Sequence, residues 1–248
     1  LRELGRTLAR REPQALDPVA LADAPSEMAP MLDALNGLLG RISELMASER
    51  RFTADAAHEL RTPIAAIRAQ AQVALAESND ALREHALQST LDGCDRATRL
   101  VDQLLTLSRL ESGAAPQRQP VALGAQLQQV LAGCEPQALG KGQALALDAR
   151  EPCTVMGDVT LLGVLARNLV DNAIRYSPAQ ARIQVGLARQ GGQILLTVQD
   201  SGPGLDEAQM ARLGERFLRV LGTGEAGSGL GWSIVQRIAA AHGATVVT

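Results

Sequence analysis

Aromatic side chains are nearly missing from these 248 residues: two Phe, one Trp and one Tyr, or 2% of the chain. Apolar residues still make up 46%, so a core is available. One filled by Leu, Ala, Val and Ile suits helix bundles and compact α/β layers. Cysteine is scarce as well. Cys94, Cys134 and Cys153 are odd in number, scattered and without CxxC spacing. That speaks against a disulfide framework or a zinc site and fits a reducing, cytoplasmic setting. A basic excess is also missing, since the formal net charge is -3 and the pI is near 5.7. A nucleic-acid-binding domain would need the opposite bias. No run of about 18 apolar residues occurs, so no membrane span is expected within these residues. No charged-then-apolar signal segment is expected within them either. The chain opens on Leu1-Arg-Glu-Leu-Gly5 and stops on the apolar run Ala244-Thr-Val-Val-Thr248, and both ends are expected to continue in a larger protein.

What is present is two kinds of pattern in succession, and the length suits two or three domains. Residues 1–11 read as a short helix, broken by Pro13 and Pro18, and 12–25 as a connector. From Glu27 a long helical pattern starts. Leu38, Ile42, Leu45, Phe52 and Ala56 step by three, four or seven residues, a coiled-coil seam. Pro63 should bend this helix before the pattern resumes through Ile64, Ile67, Ala71 and Ala74. Ser78-Asn79-Asp80 marks a turn and cap. A second helix follows, with its seam at Leu87, Leu91, Cys94, Thr98, Val101, Leu105 and Ser108. Two such helices make an antiparallel hairpin that buries one stripe, and two copies would close a four-helix bundle. On this register His58 lies two positions beyond Ala56, off the seam and facing solvent.

Gly113-Ala-Ala-Pro116 is a linker, and beyond it the pattern becomes mixed α/β. Strands are expected near 118–122, 143–149 and 153–156, with a hairpin of 183–187 and 194–198 about Gly191-Gly192. Helices are expected at 123–139, 158–176, 206–213 and 229–242. Together they predict a two-layer α/β sandwich.

Four pieces carry chemistry. On the 158–176 helix, Val159, Leu162, Ala166, Leu169 and Ala173 form the expected buried stripe. Asn168, Asn172 and Arg175 lie on another face at i, i+4 and i+7. Two amides over an arginine can hold Mg²⁺ and phosphate oxygens, although two surface Asn would read the same. Asp200 follows an apolar strand and precedes Gly202 and Gly204. A carboxylate there can accept a hydrogen bond from an exocyclic amine such as that of adenine, with close approach eased by the glycines. The alternative is a plain turn closed by Asp200 and Pro203. Gly222-Thr-Gly224-Glu-Ala-Gly227 matches a dinucleotide fingerprint but follows no clear strand, so that reading is rejected. The segment instead reads as a mobile loop, 218–228, entering a helix whose first turn carries Gly229 and Gly231 and suits phosphate. Arg216 and Arg219 flank that loop and could neutralise a γ-phosphate. Finally, His58 stands beside Glu59, which could accept a ring proton and sharpen the imidazole as a nucleophile. The zinc motif H-E-x-x-H fails because position 62 is Thr. His85 and His242 have no such neighbours and read as structural.

In order and spacing these residues resemble the cytoplasmic part of an orthodox two-component sensor histidine kinase. His58-Glu59-Leu-Arg61-Thr62-Pro63 is similar to the family's H box, and Asn168-Leu-Val-Asp-Asn172 with Arg175-Tyr176 to its N box. Asp200-Ser-Gly202-Pro-Gly204 resembles the G1 box, Arg216-Phe217 the F box, and Gly227-Ser-Gly229-Leu230-Gly231 the G2 box. Residues 1–47 resemble most of a HAMP signal-relay module. Segments 51–63 and 95–111 are most similar to the QseC-like branch. The resemblance implies His58 as phosphoacceptor, Glu59 as its base and Thr62 as the orienter of water in regulator dephosphorylation. It also implies Asn172 with Asn168 on Mg²⁺, Arg175 and Tyr176 on nucleotide, and Asp200 on adenine.

The implied organisation is a partial HAMP segment at 1–47, a dimerisation and phosphotransfer domain at 48–112, a linker at 113–117 and a truncated ATP-binding domain at 118–248. The implied fold is a helical hairpin, dimerising as a four-helix bundle, ahead of a sandwich of the type shared with Hsp90 and gyrase. The implied partners are a second copy of the chain and the receiver domain of a response regulator, with ATP and Mg²⁺ as cofactors and no nucleic acid. The parent would be a bacterial inner-membrane protein, reaching the membrane only through segments outside these residues. Three departures stand out. Trp232 replaces a small aliphatic residue, Arg175 replaces the commoner Lys, and the chain stops short of the last one or two strands expected. Two rival readings are a nucleotide-driven clamp ATPase of the same fold, which leaves His58 unexplained, and a catalytically inert coupling module.

Overall fold

The computed structural model describes residues 15–20, 28–111, 116–214 and 229–248. The helix expected at 1–11 and the loop residues Arg216, Phe217, Arg219 and Gly227 lie outside the described residues. The chain divides into two compact units, residues 1–62 and 63–248.

In the first unit the connector 15–20 has no regular structure. Val19 is buried together with Leu32, and Met28, Leu35 and Leu39 pack against them. Asn36 fixes the connector from both sides. It accepts from the Val19 N–H at 2.7 Å and donates from Nδ2 to the Val19 carbonyl at 3.1 Å. Helix α1, Ala29–Ala76, starts in this unit and continues into the second. It runs unbroken through Pro63, where the sequence pattern is interrupted. Proline removes one backbone donor, and the flanking turns carry the helix past the gap.

In the second unit the remainder of α1 is followed by α2, Asp80–Glu111. The Asn79 carboxamide caps α2 as its sequence position predicts, accepting from the N–H groups of Ala81 and Leu82 at 3.0 and 3.2 Å. The buried stripe of α2 is Ala86, Gly93, Leu100 and Leu107, one residue out of step with the predicted seam. A Cβ on Gly93 would stand 2.7 Å from Ile67 Cγ1, so glycine lets the two helices approach at that level. The predicted seam is left open instead: Leu87, Leu91, Val101 and Leu105 are 40–59% exposed. Neighbouring residues lie about 100° apart on a helix, so α2 carries two adjacent apolar stripes, and the sequence pattern selects the outer one.

After the linker come β1 (Gln119–Ala122), α3 (Leu123–Gly140), β2 (Ala144–Ala149) and β3 (Thr154–Gly157). Next are α4 (Val159–Tyr176), β4 (Arg182–Gln190), β5 (Gln193–Gln199), α5 (Glu207–Ala211) and α6 (Gly231–Ala241). The strands form two sheets rather than one. β1 pairs antiparallel with β3, while β2 runs parallel to β4 and β4 antiparallel to β5. Gly191 and Gly192 join β4 to β5 with φ of 55° and 83°. Two positive φ values are what a two-residue turn needs to match strand twist. Ile183, Val185 and Leu187 of β4 face inward onto Val130 and Cys134 of α3 and Val170 and Ile174 of α4. Burial contributes about 1.5–3 kcal/mol for each large aliphatic side chain, so this layer holds α4 against the sheet. Among the described residues no helix is long and apolar enough to cross a membrane.

Candidate active site

The residues of α4 expected to bind nucleotide all lie in its C-terminal half, and its start is fixed separately. Asp158 starts the helix, its carboxylate accepting from the N–H groups of Thr160 and Leu161 at 3.0 and 3.1 Å. Its own N–H donates to His242 Nε2 at 3.0 Å, while His242 Nδ1 lies 2.8 Å from the Ile238 carbonyl. His242, structural as expected, thus ties the end of α6 to the start of α4. The two helices run antiparallel, and the start of α6 arrives beside Asn168 and Asn172.

The rotation of α4 is set from its other flank. Arg167 and Asp171, at i and i+4, face α3. Arg167 Nε lies 3.8 Å from Asp171 Oδ2, and Cys134 Sγ donates to Asp171 Oδ1 at 3.5 Å. Burial, reinforced by the Asp171 charge, pushes the Cys134 thiol up to about 12, so it stays a neutral donor. Each Asn lies one residue further on, about 100° around the helix, and turns toward α6. Asn168 is buried rather than on the surface, and Asn172 is half-buried. α4 is covered on two sides, so Val159, Leu162 and Leu169 are only half-buried while Val170 and Ile174 join the core.

At the α6 N-terminus a Cβ on Gly231 would stand 3.0 Å from Asn168 Oδ1 and 3.5 and 3.6 Å from the Asn172 amide atoms. The missing methyl leaves a cradle between two carboxamides and the first turn of a helix. Among the described residues no side chain caps that turn, and the N–H groups of a helix start suit an anion. Gly229 precedes it with φ of 67°, and Leu230 is fully buried, anchoring the turn from below. Among the described residues no cluster of three His, Cys, Asp or Glu could hold a metal. Amide oxygens plus phosphate and water are a donor set that Mg²⁺ accepts, so the residues present fit it.

At the last turn of α4, Arg175 and Tyr176 are half-buried. Lys141, the single lysine of the chain, donates to the carbonyls of Ile174 and Arg175 at 3.3 and 3.0 Å. Buried Gln143 reaches the carbonyls of Ile174, Ser177 and Pro178, each at 3.0 Å. The Asp200 turn meets this end. Asp200 Oδ1 accepts from the Gly202 N–H at 2.7 Å, and a Cβ on Gly202 would stand 3.1 Å from the Tyr176 carbonyl. Only glycine permits that approach. Asp200 itself is exposed and Gly204 has φ of 72°. The hydroxyl of Ser177 is buried without a partner among the described residues, 3.6 Å from the same Gly202 Cβ position. Ser177 follows Tyr176 directly and carries no motif signal of its own, so sequence alone does not single it out. The indole N–H of Trp232 is likewise buried without a partner.

On α1, His58 is 75% exposed, facing solvent as its register predicts. Its Nδ1 lies 4.0 Å from Glu59 Oε1, within ion-pair range but beyond a hydrogen bond. Thr62 is exposed one turn further along.

Three family models match the chain in succession. A PhoQ-like sensor HAMP domain matches residues 1–44, a His Kinase A phospho-acceptor domain residues 48–113, and a histidine kinase-, DNA gyrase B- and HSP90-like ATPase residues 157–248. The fold and its site therefore define a phospho-acceptor hairpin joined to an ATPase-type sandwich. The chain belongs to the sensor histidine kinase family. It is similar to the sensor protein QseC of Salmonella typhi, at 44% identity over 252 residues, covering 99% of this chain and 55% of that protein. It is also similar to the sensor protein BasS of Salmonella typhimurium, at 34% identity over 248 residues, covering 98% of this chain and 67% of that protein. The solved histidine kinase AdeS of Acinetobacter baumannii superposes with a TM-score of 0.59 at 26% identity, covering 74% of this chain and 86% of that one. The chain spans about half the length of QseC, 55%.

Proposed function

We propose that this chain carries out ATP-dependent phosphorylation of His58 and passes the phosphoryl group to an Asp of a response regulator. One ring nitrogen of His58 attacks the γ-phosphorus, the bond to the β-bridging oxygen breaks, and ADP leaves. Glu59 takes the ring proton, closing its 4.0 Å gap in the reactive complex. Asn168 and Asn172 hold the metal side of the nucleotide, the α6 N-terminus with Gly229, Leu230 and Gly231 holds its phosphates, and Asp200 with Gly202 and Gly204 its base. Arg175 and Tyr176 line the same end of α4, and Arg216, Phe217, Arg219 and Gly227 belong to the loop ahead of α6. Bound Mg²⁺ would supply charge neutralisation of the phosphate oxygens. The observation that carries the reading is the cradle at Gly231, where two carboxamides meet the first turn of a helix.

The rest of the assignment follows the family. Residues 1–47 relay a signal, 48–112 dimerise and accept phosphate, 113–117 link, and 118–248 bind nucleotide. The open stripe at Leu87, Leu91, Val101 and Leu105 supports a second copy closing a four-helix bundle. Thr62, one turn from His58, orients water for dephosphorylating the regulator. The parent is a bacterial inner-membrane sensor, and these residues belong to its cytoplasmic portion.

Incubation with labelled Mg-ATP should give acid-labile phosphate on the wild-type chain and none on His58→Ala. Equal labelling of the two would remove the kinase reading. Thr62→Ala should slow the decay of a preloaded regulator without altering labelling of His58.

A further inference from the structure

Both ends of the Asn168 carboxamide are engaged. Its Nδ2 donates to the Val164 carbonyl at 2.8 Å, which fixes the opposite atom as the oxygen. That Oδ1 accepts from Gln103 Nε2, on α2, at 3.1 Å. Asn168 is 7% exposed, and α2 also packs against α6 beside it. The side chain expected to ligate Mg²⁺ is therefore engaged by the hairpin helix, which sits over its oxygen. Mg²⁺ demands near-octahedral geometry with ligands at about 2.0–2.1 Å and sheds water reluctantly. Asn168 is 7% exposed and its oxygen already holds the Gln103 donor, so an ion of that geometry enters only once α2 has moved off.

We propose that Gln103 is a positioning residue that withholds Asn168 Oδ1 from the metal while the nucleotide domain is docked on α2. The inference rests on the nucleotide-site reading above and adds its regulation. Mg-nucleotide and α2 compete for one oxygen. Each weakens the other by the same factor, because coupling between two binding events is reciprocal. Docking on α2 then lowers nucleotide affinity, and Mg-nucleotide drives the domain off α2 with Asn168 freed. Metal-free nucleotide makes no demand on that oxygen and escapes the competition.

The test compares wild type, Gln103→Met and Gln103→Ala for binding of a non-hydrolysable ATP analogue, with and without Mg²⁺, followed by calorimetry. Methionine keeps the length of the side chain and its fit against α4 while removing the N–H. A net hydrogen bond of this kind corresponds to about a two- to tenfold change in affinity. Both variants should bind the Mg-analogue about two- to tenfold more tightly than wild type, with metal-free binding unchanged. A purely structural role would move both affinities together, and that outcome overturns the proposal. So does unchanged or weaker Mg-analogue binding, which would make Gln103 an aid to the ligand. If the wild-type chain fails to bind the Mg-analogue at all, the nucleotide-site reading falls, and the Gln103 proposal with it.

Discussion

Substituting Gly231 by Ala separates folding from nucleotide binding more cleanly than removing a ligand would. The new methyl would stand 3.0 Å from Asn168 Oδ1 and at ordinary contact distance, 3.5 and 3.6 Å, from Asn172. Gly231 has no positive φ, so alanine fits the backbone and brings a helix gain of up to about 1 kcal/mol. The close contact with Asn168 offsets part of this, because the carboxamide must shift by a few tenths of an ångström. Stability without nucleotide should therefore stay within about 1 kcal/mol of wild type. The cradle, in contrast, is filled. A phosphate or its metal can no longer reach the gap, and loss of one charge-assisted hydrogen bond, about 1.5–3 kcal/mol, raises Kd roughly ten- to a hundredfold. The assay is titration of Mg-nucleotide against the emission of the single tryptophan, Trp232, beside a thermal melt of the free protein. Affinity within about twofold of wild type, with an unchanged melt, would refute the assignment of this gap to phosphate and metal.

Three further outcomes are expected. His242→Ala leaves the Asp158 N–H and the Ile238 carbonyl without their imidazole, so stability should fall by about 1–3 kcal/mol, or roughly 2–4 °C in Tm per kcal/mol, read by thermal melt. Ser177→Ala removes a buried hydroxyl with no partner among the described residues. It should leave the free protein's stability within about 1 kcal/mol while weakening Mg-nucleotide binding severalfold, as calorimetry would show. Among the cysteines only Cys94 is exposed, so mass spectrometry after alkylation near neutral pH should find it modified and Cys134 and Cys153 protected until unfolding. The Cys134 thiol is raised from 9.0 to about 12. Its share of stability is therefore complete below pH 9.0 and lost as pH climbs toward about 12. Cys134→Ala should flatten that alkaline decline.

Much of the architecture could be read from patterns that do not depend on tertiary context. Period-two alternation at Ile183, Val185 and Leu187, the Gly191-Gly192 turn and the Asn79 cap are local rules, and each holds in the structure. Where sequence and structure differ, long-range packing decides. The expected seam on α2, at Leu87 and Leu91, stays open within one chain, whereas the buried stripe runs through Ala86 and Gly93. Glycine and alanine give a weak hydrophobic signal, although they permit the close approach to Ile67. The division of the strands into two sheets depends on pairings between residues such as Gln119 and Gly157, which no local pattern encodes. The proposed site rests on residues that a motif carries, as at His58, Asn168, Asn172 and Asp200. Sequence alone is silent at Gln103, Ser177 and Gln143, whose roles exist only once remote segments meet.

Lys141 gives the chain an unusual chemical handle. Its ammonium group is the only lysine amine among 248 residues, and it rests on the final carbonyls of the helix bearing Asn168, Asn172 and Arg175. An acylating reagent therefore meets one side-chain target, held back for as long as that helix end stays wound. The rate at which Lys141 reacts becomes a clock for fraying at the C-terminal end of α4, readable by intact mass without any engineered probe.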